Sequence, residues 1–336
     1  MSIRYLKSHP HVSRGSFSEK ILTQIRREFG AEVEPFTLHL PVPELLAGVW
    51  MACRETLLAG NGVRDAKEII ATAVSMLNQC PYCVDAHSMM LLGASGDDFS
   101  RALQKPELSP FAAWGAATRT PSSPILATPP FSADEAPAFI GTAVVFHYIN
   151  RMVTILLGTS PLPFTKGLPK MVAMRMAAWF FGKAVNRPKQ PGTSIDLLPE
   201  APLPEDLLWA KPSPSIAEAF ARFAQVVENA GTLALPQEVR TIVNHAVQEW
   251  QGNDQELDNR WCEEAIACLD DANKCAGRLA LLTALAPWRV SETIVRDFSS
   301  YFAGDNLLVS ALAWSSFSAA RKIGTWLTLP DPATRP

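Results

Sequence analysis

The chain has 336 residues, 48% of them apolar and 19% charged, with a net charge of −3. That length suits two domains or one domain built from a duplicated unit, and the apolar share argues for buried helix or an oligomer contact and against disorder. The near-balance of charge supplies no overall field for nucleic acid or an anionic membrane, so neither is expected as a partner.

Residues 1–40 read as an arm with a short helix over Glu19–Phe29, whose Ile21, Ile25 and Phe29 repeat at helical spacing. From Val42 the pattern is strongly helical: Pro43 opens a run to Ala59, Gly60-Asn61-Gly62 stops it, and a second helix covers Arg64–Gln79. A third helix runs from Pro81 to Leu92 and a fourth over Phe111–Thr118, followed by a proline-rich wrapping loop over Thr120–Pro137. The apolar stretch Phe139–Gly158, interrupted by His147, Asn150 and Arg151, reads as a buried amphipathic helix rather than a membrane span.

A helix over Lys170–Val185 leads into the proline-rich segment 188–214, the best boundary between a first unit, 41–187, and a C-terminal half, 215–330. That half reads as helices near 215–230, 236–251, 258–285, 290–301 and 306–327. No alternating strand of useful length is visible. The fold class is therefore all-α, and the two helix-rich halves invite a duplication reading with a degenerate second half.

The chemistry is concentrated in KEIIATAVSMLNQCPYCVDAH, Lys67–His87. Pro81 suits a first helical position, which makes Cys80 the cap residue and puts Cys83 in the first turn. Cysteines three apart on a helix lie within disulfide reach, and His87, four residues after Cys83, shares its face. The helix N-terminus and a histidine favour thiolate, and lowering a thiol pKa from ~8.5 to ~6.5 takes the thiolate at neutral pH from roughly 3% to roughly 75%. One helix earlier, Glu68 shares a polar stripe with Thr72, Ser75 and Gln79 and is a partner for His87.

This Glu-x11-Cys-x2-Cys-x3-His constellation resembles the alkyl hydroperoxidase D (AhpD)-like group of the carboxymuconolactone decarboxylase family. The resemblance runs more weakly over Glu44–Leu157 and implies an AhpD-like helical bundle and a thiol-dependent peroxidase. Carried over position by position, it implies that Cys83 attacks the hydroperoxide, that Cys80 resolves it to a disulfide, and that His87 and Glu68 relay protons. It further implies no bound cofactor, an external thiol reductant of the lipoylated or thioredoxin-like kind, and a homo-oligomer. Where the AhpD pattern carries a histidine between the cysteines, this chain has Tyr82, which offers a hydroxyl but no base at neutral pH.

Two other readings use the same residues. Cys80, Cys83 and His87 give three of the four ligands of a structural zinc site, and a redox sensor could use the same disulfide without turnover. Haem attachment is excluded by Val84 in the histidine position. Cys53, Cys262, Cys268 and Cys275 read as core packing, the last three on one helix, and the MVAMRMAAWFF run as core or subunit interface. His147 reads as a satisfied core histidine or, with Tyr82, as pocket lining. His9 and His11 lack metal-binding company. With six cysteines, too few for a secreted disulfide scaffold, and no apolar leader in the first thirty residues, the expected location is cytoplasmic.

Overall fold

The structure is a computed structural model that describes residues 3–6, 12–162, 164, 167–185, 187–256 and 258–329. His9 and His11 lie outside the described residues. Among those described, every regular element is a helix, as the helical spacing and the lack of alternation predict.

The first part of the chain contributes α1 (Phe17–Phe29), α2 (Glu34–Thr37), α3 (Pro43–Cys53), α4 (Arg64–Leu77), α5 (Pro81–Ser95), α6 (Phe99–Ala102), α7 (Ser109–Ala117), α8 (Pro124–Ala127) and α9 (Ala136–Leu156). After α10 (Gly167–Val185) come α11 (Pro214–Ala234), α12 (Gln237–Glu249), α13 (Arg260–Ala265), α14 (Asp271–Leu285), α15 (Glu292–Tyr301) and α16 (Asp305–Leu327). Local chemistry sets these bounds. Ser16 caps α1 by accepting from the Glu19 N–H, Gly30 closes it in the left-handed region, and proline occupies the first position of α3, α5 and α11.

Three expectations change. The run after Pro43 does not stay α-helical to Ala59: from Arg54 to Ala59 it widens into a π-helical turn. The single helix expected over 258–285 is broken, because Asp270 caps a new helix by accepting from the Asn273 N–H. Cys262, Cys268 and Cys275 therefore sit on α13, on the connecting turn and on α14, and Cys268 is exposed rather than packed in the core.

Helix α9 is the centre of the molecule. By length and composition it could cross a membrane, yet it is buried almost throughout, between α4 on one side and α16 on the other. Tyr148 of α9 meets Phe223 of α11 at 5.2 Å, and Phe223 meets Phe317 of α16 at 4.5 Å. The apolar core is thus continuous across the proline-rich segment. That segment is tied down by charge: Arg54 lies between Glu28 Oε2 at 2.7 Å and Glu55 Oε1 at 2.6 Å and donates to Gln190 O. Glu55 in turn accepts from the Gly192 N–H and from Ser194.

Helix α10 crosses α5 where two glycines face each other. A Cβ on Gly93 would stand 2.7 Å from the Ala178 carbonyl oxygen, and one on Gly182 would stand 3.0 Å from that of Gly93. This close approach brings Ala177 and Phe181 to the wall of the cavity described below. The opposite face of α10 leaves Leu168, Met171, Met176 and Trp179 exposed, so the methionine-rich run is core on one side only.

Candidate active site

The four residues singled out by spacing are brought together at the junction of α4 and α5. Helix α4 ends in a Schellman arrangement: the Gln79 N–H donates to Met76 O and the Cys80 N–H to Ser75 O, both within hydrogen-bonding distance. The residue that turns the corner is Gln79, with φ at +52°, a conformation that favours glycine. Two residues suffice to reverse the chain, so Cys80 both ends this motif and caps α5, with Pro81 as the first helical residue.

Glu68 is fully buried, and its two carboxylate oxygens are divided between two partners. Oε1 accepts from Arg64 Nε at 2.8 Å, one helical turn earlier, and Oε2 lies 2.7 Å from His87 Nδ1. Burial alone would raise the Glu68 pKa, but the Arg64 guanidinium and His87 outweigh it and hold the carboxyl below its ordinary range. An ionised Glu68 accepts a proton-bearing Nδ1, which leaves Nε2 as the ring nitrogen on offer to the cavity. The His87 ring is further fixed edge-on against Phe146, with centroids 4.2 Å apart.

Both thiols of the C-x-x-C pair are reduced and 1% exposed. They stand at the start of α5, Cys80 in the cap position and Cys83 in the first turn. The neighbouring Cys83 holds Cys80 below the usual thiol value despite its burial, whereas burial, reinforced by Cys80, pushes Cys83 well above it. At Cys83 desolvation opposes the thiolate-favouring effect expected of the helix N-terminus and His87. The lowered thiol is the capping one.

The two cysteines line separate spaces. Cys83 and His87 line a cavity of about 240 Å³ whose walls are mainly Phe29, Phe36, Met90, Phe146 and Phe181. Cys80 lines an open groove of about 560 Å³ with Gln79, Val84 and the ion pair of Lys170 with Asp85, 2.7 Å apart. Tyr82 lines the apolar cavity, but its hydroxyl donates to Glu34 Oε2 at 2.8 Å and not to a thiol. The burial of that phenol and the adjacent Glu34 carboxylate raise its pKa far beyond neutrality, so it supplies no base.

His147 is not part of the cavity wall. It is fully buried on α9, with Nδ1 3.0 Å from Asn78 Nδ2 and Nε2 2.8 Å from Thr118 Oγ1. Sequence reasoning missed Arg64, whose four-residue spacing to Glu68 was a usable signal, and it missed the hydrogen bonds of Asn150 on α9 with Asn78 and Ser75 at the end of α4. Among the described residues no three His, Cys, Asp or Glu side chains are grouped to hold a metal ion. Cys53 and Cys262 are pushed up to about 12 by burial, as expected of packed thiols.

The sequence that carries this site matches known proteins. The profile of the Carboxymuconolactone decarboxylase family matches residues 43–98, the span from α3 to the end of α5 that carries Glu68, Cys80, Cys83 and His87. An alkyl hydroperoxide reductase of Mycobacterium tuberculosis (strain ATCC 25618 / H37Rv), Rv2159c, is 38% identical over 327 residues, covering 95% of this chain and 92% of its own length. The likeness thus extends through the C-terminal half, well past the matched profile. This chain belongs to the carboxymuconolactone decarboxylase family, as an AhpD-like member.

Proposed function

We propose that this protein is a peroxidase that reduces organic hydroperoxides through a dithiol/disulfide cycle at Cys83 and Cys80. The observation that carries the reading is the shared wall: Cys83 and His87 line one apolar cavity, and Glu68 stands directly behind His87. The relative from Mycobacterium tuberculosis, named for alkyl hydroperoxide reduction, supports the same substrate class.

In this cycle a hydroperoxide enters the cavity, and His87 Nε2 takes the Cys83 proton while Glu68 steadies the imidazolium. The Cys83 sulfur attacks the terminal peroxide oxygen, the O–O bond breaks, and the departing alkoxide receives the proton from His87 to leave as an alcohol. The Cys80 thiolate then attacks the sulfenic sulfur of Cys83. Hydroxide leaves, is protonated from solvent to water, and the disulfide closes. An external dithiol, of the lipoylated or thioredoxin-like kind, reopens it by exchange at Cys80 through the groove, becoming a disulfide itself. A thiol kept protonated by burial until substrate arrives limits idle oxidation.

The test is trapping. A Cys80→Ser variant treated with cumene hydroperoxide should accumulate a sulfenic acid at Cys83, captured by a dimedone-type reagent, whereas Cys83→Ser should form no adduct. Sulfenic acid at Cys80 of the Cys83→Ser variant, formed as fast as in the wild type, would reverse the assignment.

A further inference from the structure

Of the fifteen large hydrophobic side chains exposed among the described residues, seven lie between Phe164 and Phe180. On α10 they recur at helical spacing, Leu168, Met171 and Val172, Met176, then Trp179 and Phe180, and so share one side of the helix. Leu168, Met176 and Trp179 are each 67–68% exposed. The other side of α10 is spent inside the molecule, where Gly182 crosses Gly93 and where Ala177 and Phe181 wall the cavity. A fold rarely leaves so continuous an apolar stripe open without a use for it.

The charge of the same segment has one sign. Residues 164–189 contain Lys166, Lys170, Arg175, Lys183, Arg187 and Lys189 and no acidic residue, and the nearest acids along the chain are Glu135 and Asp196. The whole-chain charge of −3, from which no membrane partner is expected, averages this local excess of six cations away. Arg175 is exposed within the apolar stripe and Arg187 just beyond α10, while Lys170 is held by Asp85. The acids nearest α10 on its neighbouring turn, Asp97 and Asp98, are answered by Lys105 and Arg101.

We propose that α10 is a membrane-docking helix: its exposed face enters the boundary between headgroups and acyl chains of an anionic bilayer, and the basic residues of its segment meet the anionic headgroups. Lying in the plane of such a surface, its 19 residues span about 28 Å. Trp179 and Phe180 are residue types that settle at that depth, and Arg175 can follow its own apolar stem up to the headgroups. A second copy of this chain fits the face less well, since it would set one six-cation segment against another. The docking does not rest on the peroxidase reading. With that reading, the docking face and the substrate cavity are two sides of one helix, and hydroperoxides borne by membrane lipids follow as substrates.

Flotation of the full-length reduced protein with lipid vesicles tests this. Phosphatidylcholine vesicles with about 30% phosphatidylserine should carry the protein up at about 0.1 M salt, and pure phosphatidylcholine should bind it at least about tenfold more weakly. Leu168→Gln/Met176→Gln removes apolar contact without changing charge, and Arg175→Gln/Arg187→Gln removes charge from exposed positions. Each should weaken binding about tenfold with an unchanged circular dichroism spectrum. No flotation on the anionic vesicles, or variants that float as well as the wild type, would overturn the docking. A wild-type dimer that Leu168→Gln/Met176→Gln turns into a monomer would overturn it too, because the face would then join two copies. Oxidation of Cys80 and Cys83 by a phospholipid hydroperoxide in the same vesicles should slow in Leu168→Gln/Met176→Gln, and oxidation by soluble cumene hydroperoxide should not. If neither hydroperoxide oxidises the wild-type pair while flotation persists, the peroxidase reading fails and the docking stands.

Discussion

Glu68 and His87, nineteen residues apart on consecutive helices, meet at 2.7 Å with the carboxylate fully buried and the imidazole at a cavity wall. The far oxygen of the carboxylate is held by Arg64, so Glu68 is fixed in charge and position. A buried carboxylate that orients a histidine on the cavity wall it shares with Cys83 has the geometry of a triad in general form.

Replacing Glu68 by Gln should therefore disturb the histidine more than the fold. The amide cannot accept from Nδ1–H and from Arg64 as the carboxylate does, and the imidazolium loses its counter-charge. Hydroperoxide-driven oxidation of the cysteines should slow on the order of 10²-fold. Single-turnover quenching followed by thiol counting measures this, and an unchanged rate would remove Glu68 from the relay.

The corner residue Gln79 is exposed and left-handed. Gln79→Gly should relieve backbone strain and raise stability by about 1 kcal/mol, partly offset by the greater freedom of glycine in the unfolded chain. Urea denaturation reads the difference, and destabilisation would mean that the Gln79 side chain holds the turn.

Arg54 is 1% exposed and bonded to two carboxylates, Glu28 and Glu55. Arg54→Met would leave Glu55 buried without its cation and Glu28 with only the exposed Arg27, at a cost of about 3–5 kcal/mol. The accompanying release of the 190–194 segment should appear as faster proteolysis there. Equal resistance in wild type and variant would show that the segment is held by other contacts.

Stability should fall on mild acidification. His39, fully buried with Nε2 2.7 Å from the Tyr148 hydroxyl, has its pKa lowered by burial to about 4, and His147 is lowered in the same direction. Below pH 6.5 the unfolded chain takes up protons that these residues refuse in the fold. Their contribution is complete above pH 6.5 and is lost as pH falls towards 4, for His39 about 3 kcal/mol. Urea midpoints at pH 7 and pH 5 for wild type and His39→Gln check this. The variant should lose less than the wild type, and identical losses would place the acid sensitivity elsewhere.

Most helix positions were legible because their punctuation is local: proline opens α3, α5 and α11, and glycine closes α1 and α5. The core of the site was legible for the same reason, since Glu68, Cys80, Cys83 and His87 lie within one helix-turn-helix and their faces follow from helical spacing. The bonds of Asn150 with Asn78 and Ser75 were not, because what joins them is the packing of α9 on α4, across about seventy residues of chain. The burial of Cys83 was hidden by the same gap. Spacing reports the field of a helix end, but the desolvation that overrides it at Cys83 depends on helices that arrive later in the chain.

The most direct test of the account is peptide mass spectrometry of the reduced chain before and after one equivalent of an organic hydroperoxide, then after an excess of a dithiol such as dihydrolipoamide. The account predicts the loss of two hydrogens, located at a Cys80–Cys83 disulfide, with alcohol released in equal amount and full recovery of both thiols. Cysteines that stay reduced while the peroxide persists, or a disulfide that forms elsewhere, would contradict it.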